Sequence, residues 1–257
     1  MRTSEAGHWY AKDGTPAYTL IGKNGKERNT TLRDARKLGL APSVTAIIKQ
    51  LAAPQLERWK QNQIMMAALT LPPIEGESLK DFESRVWADS NEQSIVARDR
   101  GTEIHGYIES HFKDSSTDTS EAKPYIEAVE KALYVGFGKQ KWNAEKSFCS
   151  PLGFGGKIDL HSLDAIVDYK TKDLIKMDMK KSMTYDENIL QLSAYRRGLN
   201  NPQAKIANLY IGRELQDDGT ALVKLEIHDS DYWDRFECLL KFWQLTKGYS
   251  PDMVEME

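Results

Sequence analysis

Residues 155–172 constrain this chain more than any other stretch. They read Gly-Gly-Lys-Ile-Asp-Leu-His, then Ser-Leu-Asp-Ala, then Ile-Val-Asp-Tyr-Lys-Thr-Lys: two alternating runs around a turn. That pattern predicts a β-hairpin. In the second run Asp168 and Lys170 are two residues apart and share a face, while Val167 and Tyr169 share the other. A two-residue turn at Leu163-Asp164 pairs Ser162 with Ala165 and sets Asp159 opposite Asp168. A slip of one residue would send the carboxylates to opposite faces. We expect the first register.

Two carboxylates and an ammonium then lie close together. Like-charge repulsion would raise one carboxyl pKa. A divalent cation removes that cost, and hard oxygen donors suit Mg²⁺ or Mn²⁺. Such an ion can polarise a phosphoryl oxygen and activate a water. Lys170 can orient that water or stabilise charge on the phosphate. The same residues also fit a surface hairpin with an Asp–Lys ion pair, because Asp-x-Lys alone is common.

The 257 residues allow one or two domains and a core that needs no staples. We expect one domain over residues 1–257, with N-terminal strands and a helical arch over 1–100 and a core over 101–247. With 40% hydrophobic and 28% charged residues, the chain is globular rather than disordered. A net charge of -3 excludes a tail-driven nucleic-acid binder but not a local basic channel. Cys149 and Cys238 are too few for a four-thiolate zinc or iron–sulfur site. They are expected as buried thiols. No run approaches the roughly 18 apolar residues of a membrane span. Residues 1–14 have no apolar signal-peptide core. A cytoplasmic protein without membrane contact is expected.

Short strands are predicted within 8–31, with turns at Asp13-Gly14 and Asn24-Gly25. A short helix follows Ser43, a candidate N-cap. Further helices are predicted over 55–69, 79–113, 124–137, 184–199 and 229–247, with a junction at Gly101. Residues 71–78 read as a break and 113–123 as a surface loop. Strands are predicted over 141–171, 204–211 and 221–228. Helices flanking a run of strands make this an α/β or α+β protein.

Asp159, followed nine residues later by Asp168-Tyr169-Lys170, resembles the core of the PD-(D/E)xK nuclease superfamily. Three further elements resemble its RecB-like exonuclease branch: Gly101-Thr102-Glu103-Ile104-His105, Gly155-Gly156-Lys157-Ile158-Asp159 and Gln191-Leu192-Ser193-Ala194-Tyr195. All stand in the right order. Pro42-Ser43-Val44-Thr45-Ala46-Ile47-Ile48 is similar to a segment of phage-type and mitochondrial genome maintenance exonucleases. The resemblance implies a restriction-endonuclease-like core, a central mixed sheet flanked by helices, with an N-terminal helical block. It implies a Mg²⁺- or Mn²⁺-dependent DNA exonuclease, and the two cysteines imply a type without an iron–sulfur cluster.

Carried over residue by residue, the resemblance makes His105, Asp159, Asp168 and the Tyr169 carbonyl metal ligands. It makes Lys170 the catalytic lysine beside Asp159 and Asp168. Gln191 and Tyr195, four apart on one helix face, would hold substrate or position the lysine. Glu109 could orient His105, and Glu145 could act as an accessory acid. The implied partners are linear DNA ends, single- or double-stranded, and a strand-annealing recombinase or single-strand-binding protein in phage or prophage recombination.

Candidate phosphate contacts are Lys23, Lys26, Arg28, Arg33, Arg36 and Lys37, and then Lys172, Lys176, Lys180 and Lys181. Trp59 and Trp87 are expected in the core; exposed, they would offer stacking surfaces for unpaired bases. A site-specific or structure-specific endonuclease is the rival activity. A non-catalytic nucleic-acid-binding module is the rival from another class.

Overall fold

The computed structural model describes residues 8–52, 54–114, 119–176 and 178–251. The centre of the expected 113–123 loop and the side chain of Lys176 lie outside them. The first strands are short: β1 (Trp9–Tyr10), β2 (Thr19–Ile21) and β3 (Glu27–Asn29). Their turns use Gly14 at φ 85 and Gly25 at φ 72, a region open to glycine at little cost. In α1 (Leu32–Leu38), Thr31 and Asp34 form a reciprocal capping box. β4 (Ala41–Pro42) pairs with β1, and β2 pairs with β3. Ser43 caps α2 (Val44–Ile48), its Oγ accepting the Ala46 amide at 3.1 Å, as expected.

α3 (Pro54–Thr70) packs on α4 (Leu79–Lys113), whose N-cap is Ser78. Two expectations fail here. Trp59 and Trp87 are 42% and 57% exposed rather than core residues, because these two helices bury little beyond Ala67, Val86 and Ser90 against each other. Gly101 is no junction: α4 runs through it unbroken. Gly101 lies against β7, where a Cβ would come within 2.6 Å of Thr171 Oγ1. The missing side chain lets the helix lie close to the sheet.

α5 (Lys123–Phe137), β5 (Asn143–Ser150), β6 (Phe154–His161) and β7 (Ala165–Lys172) follow. A 3₁₀ turn at Leu174–Lys176 leads on to α6 (Asp186–Gly198), β8 (Lys205–Leu215), β9 (Ala221–His228) and α7 (Trp233–Lys247). The sheet order is β5-β6-β7-β8-β9. Only β7 and β8 run parallel, joined through α6, so the sheet is mixed. α2, α6 and α7 cover one face with a core that includes Ile47, Ile158, Ile166, Ile206, Phe236 and Trp243. α4 and α5 cover the other with Ile104, Ile108, Val129, Val167 and Leu209. This is a mixed α/β fold with a central sheet flanked by helices.

Ser162 sets the β6–β7 hairpin. Its N–H donates to the Ala165 carbonyl at 2.8 Å, and its Oγ accepts the Ala165 amide at 3.0 Å. Leu160 then pairs with Val167, the expected register. Cys149 is half-buried and Cys238 exposed, so the expected pair of buried thiols is not what forms. Among the described residues no helix is long and apolar enough to cross a membrane.

Candidate active site

The hairpin ladder stops one step before the two aspartates would face each other across it. Pairing between β6 and β7 covers Leu160–Val167 and His161–Ile166 only. Beyond it, Tyr169 donates its N–H to Asp159 Oδ2 at 2.8 Å instead of to a β6 carbonyl. Asp159 therefore occupies the opening between the strands. In an extended strand the N–H and C=O of one residue point to the same edge. The Tyr169 carbonyl faces that opening too.

β6 also changes side at this point. Ile158 and Leu160 are two apart and should share a face, yet Ile158 joins one core and Leu160 the other. On β5, Glu145 lies between the paired residues Ala144 and Lys146 and adopts φ 51, a left-handed conformation rare outside glycine. Glu145 and Asp159 mark the kink on their two strands. Sequence alternation carried no sign of it.

Asp168 is 3% exposed, and both of its oxygens are held. Oδ1 accepts from Gln191 Nε2 at 2.8 Å; Oδ2 accepts from Asn208 Nδ2 at 3.0 Å and pairs with Lys170 Nζ at 2.7 Å. Lys170 Nζ also donates to Gln191 Oε1 at 3.1 Å. Gln191 Nε2 donates a second bond to Tyr195 Oη at 2.8 Å. One amide thus joins the carboxylate, the ammonium and the phenol. Gln191 and Tyr195 are buried, and these bonds go to the site's own side chains. They fit the positioning half of the expected role and present little surface to a substrate.

Loss of water, and then the charge of Asp168, push the Asp159 carboxyl up to about 7. This is the repulsion expected of two aspartates in one place. His105 stands on α4 with its ring edge-on to Tyr169, centroids 5.5 Å apart. Burial lowers its pKa, with Asp168 and Lys170 acting on it in opposite senses. His105 is thus within electrostatic reach of the cluster. Burial also pushes the Tyr169 and Tyr195 phenols well up.

Glu109 shows partners other than His105. It pairs with Lys113 and shares a hydrogen bond with Glu145, which in turn pairs with Lys157. Burial and the Glu109 contact raise the Glu145 pKa.

Several expected phosphate contacts are engaged elsewhere. Lys172 Nζ donates to the Met183 carbonyl at 2.9 Å and lies over the rings of Tyr210 and Tyr185, at 4.7 and 5.0 Å. It fastens residues 183–185 to the sheet. Arg28 forks onto Asp34 at 2.7 and 2.8 Å, and Arg36 donates to the Lys247 carbonyl. Lys23, Lys26, Arg33, Lys37 and Lys180 are exposed.

Sequence reasoning missed Asn208 and His228. Asn208 lies beside Asp168 on the parallel strand β8 and is fully buried. Its Oδ1 is 2.9 Å from His228 Nε2. One signal was legible: a lone asparagine inside the apolar run Ile206-Ala207-Asn208-Leu209-Tyr210-Ile211, where a buried amide needs partners.

The donor set suits a hard divalent ion. Among the described residues no three His, Cys, Asp or Glu side chains converge as a ready cage. Mg²⁺ needs none, since it keeps several waters and takes one or two carboxylates. The feature that fits such an ion is the Asp159 carboxyl, shielded from water and close to the buried Asp168, where a cation would offset both the lost hydration and the repulsion.

No family model matches the chain, and no curated protein matches it. The crystal structure of an alkaline exonuclease, LHK-Exo, from Laribacter hongkongensis is similar at 14% identity and a TM-score of 0.39, over 75% of this chain and 92% of that one. LHK-Exo in complex with dAMP is similar at 14% identity and a TM-score of 0.38, over 72% of this chain and 86% of that one.

Proposed function

We propose that this chain is a metal-dependent deoxyribonuclease that hydrolyses phosphodiester bonds from DNA ends. One observation carries the reading: Asp159, Asp168 and Lys170 meet where the β6–β7 ladder parts, and Gln191 bonds to two of the three. The motif resemblance adds to it.

In this reading Asp159, Asp168 and the Tyr169 carbonyl hold Mg²⁺ or Mn²⁺, with His105 beside them. The ion supplies Lewis-acid polarisation of the phosphoryl oxygen and a more acidic water. Lys170 donates from its ammonium to a phosphoryl oxygen or to the attacking water, offsetting the charge that develops there. Gln191 and Asp168 restrict the reach of Lys170 Nζ, so little side-chain freedom is lost at the moment of reaction. Asp168 and Lys170 fix the orientation of the Gln191 amide, and Tyr195 Oη accepts its second N–H. The exposed lysines and arginines near the N-terminus would meet phosphates. The exposed Trp59 and Trp87 would meet unpaired bases, in keeping with a helical arch over the site. On the motif resemblance alone, the setting we propose is cytoplasmic DNA recombination of phage type, beside a strand-annealing or single-strand-binding protein.

The test is digestion of end-labelled linear DNA beside closed circular DNA, with Mg²⁺, with Mn²⁺ and with EDTA. Metal-dependent loss of linear DNA alone, absent in Lys170→Ala, is the expected result. Cut circles would replace the exonuclease reading with an endonuclease. DNA binding without cleavage in either metal would leave a binding module.

A further inference from the structure

Asp168 Oδ2 is held from two sides, and only one of them, Lys170, belongs to the proposed chemistry. The other is Asn208 Nδ2 at 3.0 Å. The carboxylate already accepts from Lys170 and Gln191 and can only accept again, so Asn208 must turn its NH₂ toward it. That leaves Asn208 Oδ1 facing His228 Nε2 at 2.9 Å. An amide oxygen has no proton to give. His228 must therefore carry its proton on Nε2 and donate it.

The sheet register explains how the three meet. Asn208 is the parallel partner of Asp168, and His228 pairs with Ile206, two residues before Asn208 on the same face of β8. Asn208 is fully buried, while His228 is only partly so. A buried amide with one donor direction and one acceptor direction satisfied cannot flip without facing oxygen to oxygen.

We propose that His228 and Asn208 are positioning residues for Asp168. The His228 Nε2–H fixes the Asn208 amide, and the amide holds Asp168 Oδ2 in the rotation that meets Lys170. Without the His228 N–H, Asn208 Oδ1 loses its donor, and the amide is no longer pinned and can swing away from Asp168 Oδ2. Asp168 is then free to rotate, and Lys170 keeps Gln191 but loses its carboxylate partner. The catalytic part of this inference rests on the nuclease reading; the hydrogen-bond relay does not.

Two measurements test it separately. The first is the imidazole ¹⁵N spectrum of the full chain at about pH 8 in EDTA, assigned by comparison with His228→Gln. His228 is expected as the Nε2–H tautomer in the wild type and as a tautomer mixture in Asn208→Ala and Asn208→Leu. The second is the Mn²⁺ concentration for half-maximal cleavage of linear DNA. Loss of a residue that orients a metal ligand typically costs 10–100-fold in metal affinity or activity. His228→Leu should raise the half-maximal Mn²⁺ by about tenfold. His228→Gln keeps a side-chain N–H and should recover most of the loss. A merely structural histidine would not show that recovery. A Nδ1–H tautomer in the wild type, or equal Mn²⁺ dependence in His228→Leu and the wild type, would overturn the proposal. If the wild type cleaves nothing, the nuclease reading fails and the ¹⁵N spectrum still decides the relay.

Discussion

Tyr169 donates its backbone N–H to Asp159 Oδ2 at 2.8 Å, at the point where β6 and β7 part. A side-chain oxygen has replaced a ladder carbonyl. The strands stay tied while the gap between them opens, and a carboxylate that would otherwise lie over the sheet points into the opening.

Asp159 should make the stability of the metal-free protein depend on pH. Its carboxyl is raised from 3.8 to about 7, so folding favours the protonated form. The stability this contributes is present below about pH 4 and is lost as pH rises through about 7. Asp159→Asn is neutral throughout and still accepts from Tyr169. Calorimetry in EDTA should show the variant gaining on the wild type between about pH 5 and pH 8. A difference independent of pH would refute the raised carboxyl. Mn²⁺ should restore the wild type at the higher pH and leave the variant unmoved.

Glu226 behaves in the opposite sense. Burial would raise its pKa, but Lys224, Thr184, the Met183 amide and Ser182 together pull it down to about 2. Its stabilising effect is full above the ordinary 4.5 and is lost as pH falls toward about 2. Glu226→Gln should cost up to about 1.5–3 kcal/mol near neutral pH, the range for hydrogen bonds to a charged group, and less in so far as water reaches this half-buried carboxylate. Urea titrations at about pH 7, 4 and 3 should show the gap closing as the pH falls.

Lys172 is engaged by the Met183 carbonyl and two tyrosine rings, and we expect it to act as a fastener rather than as a phosphate contact. Lys172→Met should speed amide exchange in residues 182–185, because the Met183 carbonyl and the two tyrosine rings lose their cation. Cation–π contacts of this kind contribute about 0.5–2 kcal/mol each. The salt dependence of DNA binding should not change, since that slope counts phosphate contacts. A slope reduced by about one would return Lys172 to the substrate.

Gly101→Ala sets two magnitudes against each other. Alanine favours a helix interior by about 1 kcal/mol over glycine. Overpacking costs about 1–3 kcal/mol, and the new Cβ would lie 2.6 Å from Thr171 Oγ1. The single variant should be destabilised. Adding Thr171→Ala should recover the loss, leaving the helix gain visible in thermal unfolding.

Much of the frame was legible locally. Turn chemistry at Ser162 set the register of the hairpin, and Ser43 marked the start of a helix. Apolar periodicity located the long helices to within a few residues. Asp159, Asp168 and Lys170 could be named because they lie in one hairpin, whereas Gln191 could be named only through the motif resemblance. Trp59 and Trp87 were misread for the converse reason. Residue type favours burial, but exposure depends on which helices pack together, and α3 rests on α4 alone among the stronger contacts.

By itself the amino-acid sequence determined the local geometry: turn, caps, strand alternation and the spacing of the acidic and basic side chains. These follow from interactions within a few residues. The tertiary structure alone decided that β6 and β7 part at Asp159, that Glu145 kinks the neighbouring strand, and that Asn208 and His228 stand behind Asp168. Those facts depend on strand order. β8 reaches Asp168 only because α6 carries the chain back parallel to β7, and β9 brings His228 beside it. Nothing in the spacing along the chain encodes which strand becomes which neighbour, so the partners of a buried carboxylate are settled only when the sheet closes around it.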